Sequence, residues 1–256
     1  MALQDSTNTK IDAVLDPILA KIPSNQQLLI DGLATINKEK LEKEYVKSHF
    51  SEMVVTIAFN AYLEYLTYQE KALNELIDLF IEEYLTNTKL RKINSEESLQ
   101  DLLRAFLPFA IRIEFRMGQI RKASAGSTFE KVVAYLLKTL GIKCEKATGT
   151  IKKLNRMDIV IPDQSTALNY PDKAVFISCK RTLRERWKQA IPEQNKGWKM
   201  YLLTLDNDLS EDKVNEFDKH GLIVYVRDEV KTKQHLSEKT WIRKLSDLPE
   251  SIKFKF

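Results

Sequence analysis

Apolar residues recur at three- and four-residue steps through most of the first half of the chain. This predicts helices over Asp12 to Ile22, Lys38 to Lys47 and Ser51 to Leu85. In the longest of these, Val55, Phe59, Leu63, Leu66 and Leu73 share one stripe, which reads as a core-facing side. Pro23-Ser24-Asn25 and Asn94-Ser95 punctuate the helices. A further helix is expected from about Glu97 to Gly118, bent at Pro108. Beyond it the period changes. Thr128 to Leu140 reads as a helix closed by Gly141, a residue suited to the left-handed position that ends helices. Short β-branched or aromatic runs then predict strands at Ile142 to Ala147, Asp158 to Ile161, Ala174 to Ser178, Tyr201 to Leu205 and Leu222 to Val226. Helices are expected between them at Thr182 to Ala190, before Pro192, and at Glu211 to Lys219. Strands alternating with helices imply a mixed α/β core preceded by an all-helical region. The boundary falls between roughly 90 and 105, giving a helical domain over 1–100, for dimerisation or clamping DNA, and an α/β domain over 101–256. There is no internal repeat and no low-complexity segment.

Composition narrows the functional classes. The 256 residues are 43% hydrophobic and 30% charged, ordinary for a soluble globular protein. Forty basic and 36 acidic residues give a net charge of only +4, so any nucleic-acid surface must be a local patch rather than a basic tail. Cys144 and Cys179 both fall in apparent strands, which points to buried thiols and a reducing compartment. Three histidines (His49, His220, His235) without a Cys-x-x-Cys pair argue against structural zinc. The start lacks the features of a secretion signal and no apolar run is long enough to span a bilayer, so a cytoplasmic location and no membrane partner are expected.

The candidate chemistry lies in the second half. Asp158 opens one apolar strand and Lys180 closes another, and the turn-forming Pro162-Asp163 and Asn169-Tyr170-Pro171-Asp172 between them allow the chain to return. Neighbouring strands would then place both side chains at one end of a sheet. Glu193 follows Lys180, and Glu130 lies on an earlier helix. Phosphodiester hydrolysis needs a hard cation held by oxygen ligands, and a lysine that orients water and offsets phosphate charge. In a chain this rich in charge, spacing alone favours reading the same residues as a solvated ion pair.

The run Ser178-Cys179-Lys180-Arg181-Thr182-Leu183-Arg184-Glu185-Arg186-Trp187-Lys188-Gln189 resembles the type II restriction endonucleases that recognise CCGG, CCNGG or CCWGG cores, the group that includes SsoII, EcoRII and NgoMIV. The resemblance spans about residues 112 to 226. It implies a PD-(D/E)xK restriction-endonuclease-like fold, a mixed β-sheet flanked by helices. It also implies the roles: Asp158 as metal-ligand aspartate, Lys180 as the motif's lysine, and Ser178 where most of the fold carries an acid. Glu193 would supply the second metal carboxylate from the following helix. Glu130, in Ala125-Gly126-Ser127-Thr128-Phe129-Glu130, matches the acid of an earlier helix. Met157 stands in place of the motif's nominal proline. The implied activity is Mg2+-dependent double-strand cleavage of DNA at a palindrome with a CCGG core, leaving 5′ overhangs. A homodimer and no organic cofactor go with it.

A helix starting near Thr182 puts Arg184, Glu185 and Arg186 in its first turn. An arginine fork can bond guanine O6 and N7, and a carboxylate can accept from cytosine N4, so the three suit adjacent G·C pairs. The resemblance implies the same reading, one CC:GG half-site per subunit. Thr182-Leu183-Arg184-Glu185 is also a capping box that would occupy Glu185, although two arginines in a first turn oppose the helix dipole. Trp187 reads as a core anchor. Gln119 is a candidate minor-groove reader or an ordinary exposed residue, and Arg112, Arg116, Arg121 and Lys122 are phosphate contacts or a solvated face. Two other functions fit the same sequence: a structure-specific repair or recombination nuclease of this fold, and a non-catalytic DNA-binding regulator.

Overall fold

Residues 2–87, 96–147, 157–183 and 199–253 are described by the computed structural model. Helices fill the first half: α1 (Ala2–Leu19), α2 (Asn25–Ala34), α3 (Lys43–Ser48, after a 3-10 turn at Lys38–Leu41), α4 (Phe50–Asn87) and α5 (Glu96–Thr139). Two compact units emerge. One comprises 1–28 and 62–124, the other 29–61 and 125–256, so α4 and α5 each contribute to both.

In the first unit Leu15, Ile18 and Leu19 of α1 pack with Ala72 and Leu76 of α4 and with Phe109, Ile113 and Met117 of α5. Lys21 pairs with Glu75 at its edge. In the second unit the chain builds a six-stranded sheet: β1 (Glu145–Lys146), β2 (Ile159–Ile161), β3 (Val175–Lys180), β4 (Lys199–Thr204), β5 (Ile223–Val226) and β6 (Ile242–Lys244), in that spatial order. The first three are antiparallel neighbours, whereas β3 to β6 run parallel. Both faces of the parallel part are covered, which is why β3 reads as a nearly continuous apolar run, Val-Phe-Ile-Ser-Cys-Lys. Val175, Ile177 and Cys179 join Tyr201, Leu203 and Tyr225 on one face, under Phe129, Val132, Val133, Leu136 and Leu137 of α5. Phe176, Met200, Leu202, Val224 and Val226 occupy the other face, with Val214 and Phe217 of α6 (Glu211–Lys219). Ser210 caps α6, accepting from the backbone N–H of Lys213.

Several expectations are corrected. The helices expected at Glu97–Gly118 and Thr128–Leu140 are one continuous helix, α5, through Pro108. Pro108 is exposed, so the carbonyl it deprives of a donor faces water rather than the core. Gly141 does end the structured C-terminal turn, at φ 78°, with Ile142 N–H donating to the Leu137 carbonyl at 3.0 Å. Of the strand expected over Ile142–Ala147, only Glu145–Lys146 pairs. The stretch between β2 and β3 is also less of a plain return than expected, holding a short helix at Gln164–Asn169 capped by Asp163.

The buried side of α4 is not the expected stripe. Phe59 and Leu63 are 53% and 45% exposed, and the core is made by Phe50, Met53, Val54, Ile57, Ala58, Ala61 and Tyr65. Small residues decide this phase, because they let helices approach. A Cβ added to Gly32 of α2 would lie 2.9 Å from the Ala61 backbone nitrogen, whereas one at Gly126 of α5 would meet nothing within 4 Å. These two glycines therefore predict opposite outcomes for the same change. Gly32→Ala should destabilise the protein by about 1–3 kcal/mol through overpacking. Gly126→Ala should stabilise it by roughly 0.5–1 kcal/mol, through helix propensity. Denaturant titration of both variants measures the two signs.

Candidate active site

Antiparallel pairing of β2 with β3 brings the start of one strand beside the end of the other. Asp158 directly precedes β2, and its backbone N–H donates to the Ile177 carbonyl at 3.0 Å. Its carboxylate thus meets the last three residues of β3. Asp158 Oδ2 accepts from Lys180 Nζ at 2.9 Å, from the Cys179 backbone N–H at 2.6 Å and from Ser178 Oγ at 3.3 Å. Strand alternation puts Ser178 and Lys180 on one face, and both Asp158 and Lys180 keep 16% side-chain exposure. The end of the sheet therefore holds a part-buried ion pair open to a ligand on one side.

Glu130 projects from the part of α5 that covers this sheet. Burial first, then the Asp158 charge and a hydrogen bond to Asp158, together push its carboxyl up to about 7, against the opposing pull of Lys146 and Lys180. A hard divalent cation would relieve the repulsion between these two carboxyl groups. Asp158 and Glu130 thus suit an oxygen-ligated ion such as magnesium. Among the described residues, no cluster of three or more His, Cys, Asp or Glu has metal-binding geometry. Glu193, the expected second carboxylate, lies outside the described residues, as do Arg184, Glu185, Arg186 and Trp187.

The structure therefore brings together Asp158, Lys180, Ser178 and Glu130, and adds two residues that the sequence pattern did not single out. Lys146, on β1 beside β2, acts electrostatically on Glu130; only the strand pairing reveals it. Asp206, just past β4, accepts from the Leu183 backbone N–H at 2.9 Å through Oδ2 and from the Asp208 N–H at 3.1 Å through Oδ1. With the Leu183 side chain fully buried, this fixes the chain three residues beyond Lys180. The expected buried thiols are both present and free, and burial pushes Cys179 well above the usual thiol range.

The other candidate residues lie in the first unit. Gln119 is exposed on α5, bordering a recess with Glu114, Phe115, Gly118, Arg121 and Lys122. Arg112 and Arg116 are tied within the fold: Arg112 Nε donates to Asp12 Oδ1 at 2.8 Å, and Arg116 bridges Asp12 at 2.9 Å and Asp16 at 2.6 Å. Arg121 pairs with Glu114 at 3.2 Å. Each of these arginines is thus paired with a carboxylate of the first unit.

Comparison with known proteins gives a consistent picture. The family model described as EcoRII C terminal matches residues 80–248. The type II restriction enzyme SsoII of Shigella sonnei is 23% identical over 207 residues, covering 77% of this chain and 66% of that protein, so the match spans a little under two thirds of that enzyme. Among solved structures, metal-depleted Ecl18kI in complex with uncleaved, modified DNA superposes with a TM-score of 0.83 at 20% identity, over 95% of this chain and 82% of that one. The restriction endonuclease PspGI–substrate DNA complex gives 0.62 at 21% identity, over 91% and 93%. The fold is the PD-(D/E)xK-like restriction-endonuclease fold, a mixed sheet flanked by helices. No helix among the described residues is long and apolar enough to cross a membrane.

The Glu130 site makes a pH prediction. Its proton is bound more tightly in the folded than in the unfolded chain, whose carboxyl has the ordinary value of 4.5. That contribution is complete below pH 4.5 and is lost as pH rises to about 7. Glu130→Gln should therefore raise the melting temperature of metal-free protein at pH 8 and leave it nearly unchanged at pH 4.5, as read by calorimetry in chelator.

Proposed function

Because this chain belongs to the EcoRII C-terminal family, we propose that it is a type II restriction endonuclease. It makes Mg2+-dependent double-strand cuts in DNA at a palindrome with a CCGG core and leaves 5′ overhangs. The observation that carries the reading is the Asp158–Lys180 contact of 2.9 Å at the open end of the sheet, next to Glu130. Directly after it in sequence comes the Arg184-Glu185-Arg186 run.

Asp158 and Glu193 would hold magnesium, with Glu130 supporting them, and the ion would supply charge neutralisation and a lowered pKa for the attacking water. Lys180 orients that water with its ammonium and offsets charge developing on the phosphate. Ser178 and the Cys179 N–H hold Asp158 in place, so its carboxylate is preorganised rather than recruited on binding. Arg184 and Arg186 read guanine and Glu185 reads cytosine in the major groove, each good bidentate contact discriminating by about 1–3 kcal/mol. Gln119 reads from the minor-groove side. Two copies act on one palindrome because a duplex presents two equivalent strands. Ecl18kI, itself seen metal-depleted with uncleaved DNA, supports the pairing of metal dependence with DNA binding.

Asp158→Ala and Lys180→Ala should each abolish cleavage while sparing specific DNA binding in a mobility-shift assay with calcium. Normal cleavage by either variant overturns the site assignment. Arg184→Ala should lower specific cleavage by 10-fold or more. A nuclease that reads DNA structure would be indifferent to that change, and a non-catalytic regulator would leave plasmid DNA intact with every variant.

A further inference from the structure

The parallel register that pairs Lys180 with Thr204 carries β3 and β4 off the sheet side by side. Two residues past Thr204, Asp206 closes a local turn. Its Oδ1 accepts from the Asp208 N–H at 3.1 Å, and its own N–H donates to Thr204 Oγ1 at 3.0 Å. A turn of that kind uses one carboxylate oxygen. The other leaves the loop and accepts from the Leu183 N–H at 2.9 Å, across 23 residues of sequence. The loop itself is held from outside. Three consecutive carbonyls each take a side-chain donor: Asn207 from Lys233 Nζ at 2.6 Å, Asp208 from Lys213 Nζ at 3.3 Å and Leu209 from His235 Nε2 at 2.7 Å. An ordinary surface loop leaves such carbonyls to water.

We propose that Asp206 is a positioning residue for base recognition, and that the loop over 206–209 is the bracket it acts from. The proposal rests on the nuclease reading above for the role of the Arg184-Glu185-Arg186 run. Leu183 directly precedes that run, so covalent geometry puts its Cα only ~3.8 Å from that of Arg184. The Leu183 side chain is fully buried and its N–H is bonded to Asp206, so side chain and backbone are both fixed. An error in that backbone position passes undiminished to the first base-reading residue. Bidentate contacts tolerate little of it, because a recognition constellation must hold within about 0.5 Å of its productive geometry.

Asp206 is unsuited to touching DNA itself. Its two oxygens are taken by backbone donors, and a carboxylate facing a phosphate would repel it. Its effect therefore appears in the choice between sequences rather than in overall affinity. Phosphate contacts shift every DNA sequence alike, whereas base contacts shift the ratio between sequences. That difference separates positioning from a plain contribution to stability, which would change the amount of folded enzyme and leave the ratio where it was.

The test is the ratio of kcat/KM on two duplexes. One carries the site found at the ends of wild-type products, and the other has a single G·C pair of that site changed. Asp206→Ala is expected to lower this ratio about 10-fold, the scale of one good base contact. Asp206→Asn, which keeps a single acceptor oxygen, is expected to fall between it and the wild type. Lys233→Met frees the Asn207 carbonyl without touching Leu183, and is expected to lower the ratio in the same direction. Melting temperatures read alongside show which variants fold; should Asp206→Ala fail to, Asp206→Asn and Lys233→Met decide. A ratio unchanged in the folded variants overturns the proposal, even where the rates on both duplexes fall together. A wild type that cuts no DNA refutes the nuclease reading, and the base-reading role of Asp206 falls with it. A wild type that cuts at one site, with variants that discriminate equally well, refutes the bracket alone.

Discussion

Everything in the candidate site depends on how one carboxylate is held. Asp158 Oδ2 accepts three donors, and all three come from consecutive residues at the end of β3. Such a contact exists only because β2 returns antiparallel to β3, and that pairing is enforced by a sheet buried on both faces. Lys180 and Asp158 are mostly withdrawn from water, so neither charge is cheap without the other. Removing one partner from such a pair costs on the order of 3–5 kcal/mol when burial is complete, and less where water still reaches, as here. The apolar core thus fixes the register, and the register creates the pair.

The neighbouring acid follows from the same geometry. α5 covers the sheet with Phe129, Val132 and Leu136, and Glu130 is carried along to the site by its place between them. Its raised pKa follows first from burial at that place and then from the Asp158 charge beside it. The fold accepts this strain because the helix around it is anchored by apolar contacts. Asp206 extends the order outward by fixing Leu183, the last described residue before the Arg-Glu-Arg run.

The parts legible in the sequence were those set by local rules. Asp158 before one strand and Lys180 closing another were visible because β-branched runs end sharply there, and Gly141 because only a left-handed position calls for glycine at a helix end. The alternation of strands with helices likewise implied the mixed sheet. Tertiary packing hid the rest. Gly118 to Ser127 read as a break because two glycines weaken a helix by about 1 kcal/mol each. Burial of Met117 on one side and Thr128 and Phe129 on the other carries α5 through it. The buried face of α4 is hidden from the hydrophobic pattern because Ala58 and Ala61 hardly register as hydrophobic, yet they permit the close approach that selects the buried side. Lys146 became visible only with strand order, since its effect on Glu130 crosses from β1 to α5.

The central claim is that this held carboxylate–lysine pair and the adjoining base reader form one sequence-specific nuclease. The most direct test is to digest a plasmid of known sequence with the purified protein in magnesium and to sequence the resulting ends. The account predicts ends that share a single CCGG-centred sequence with a 5′ stagger, and intact DNA when the metal is chelated. Ends scattered without a common sequence, or cleavage that persists in chelator, would contradict it.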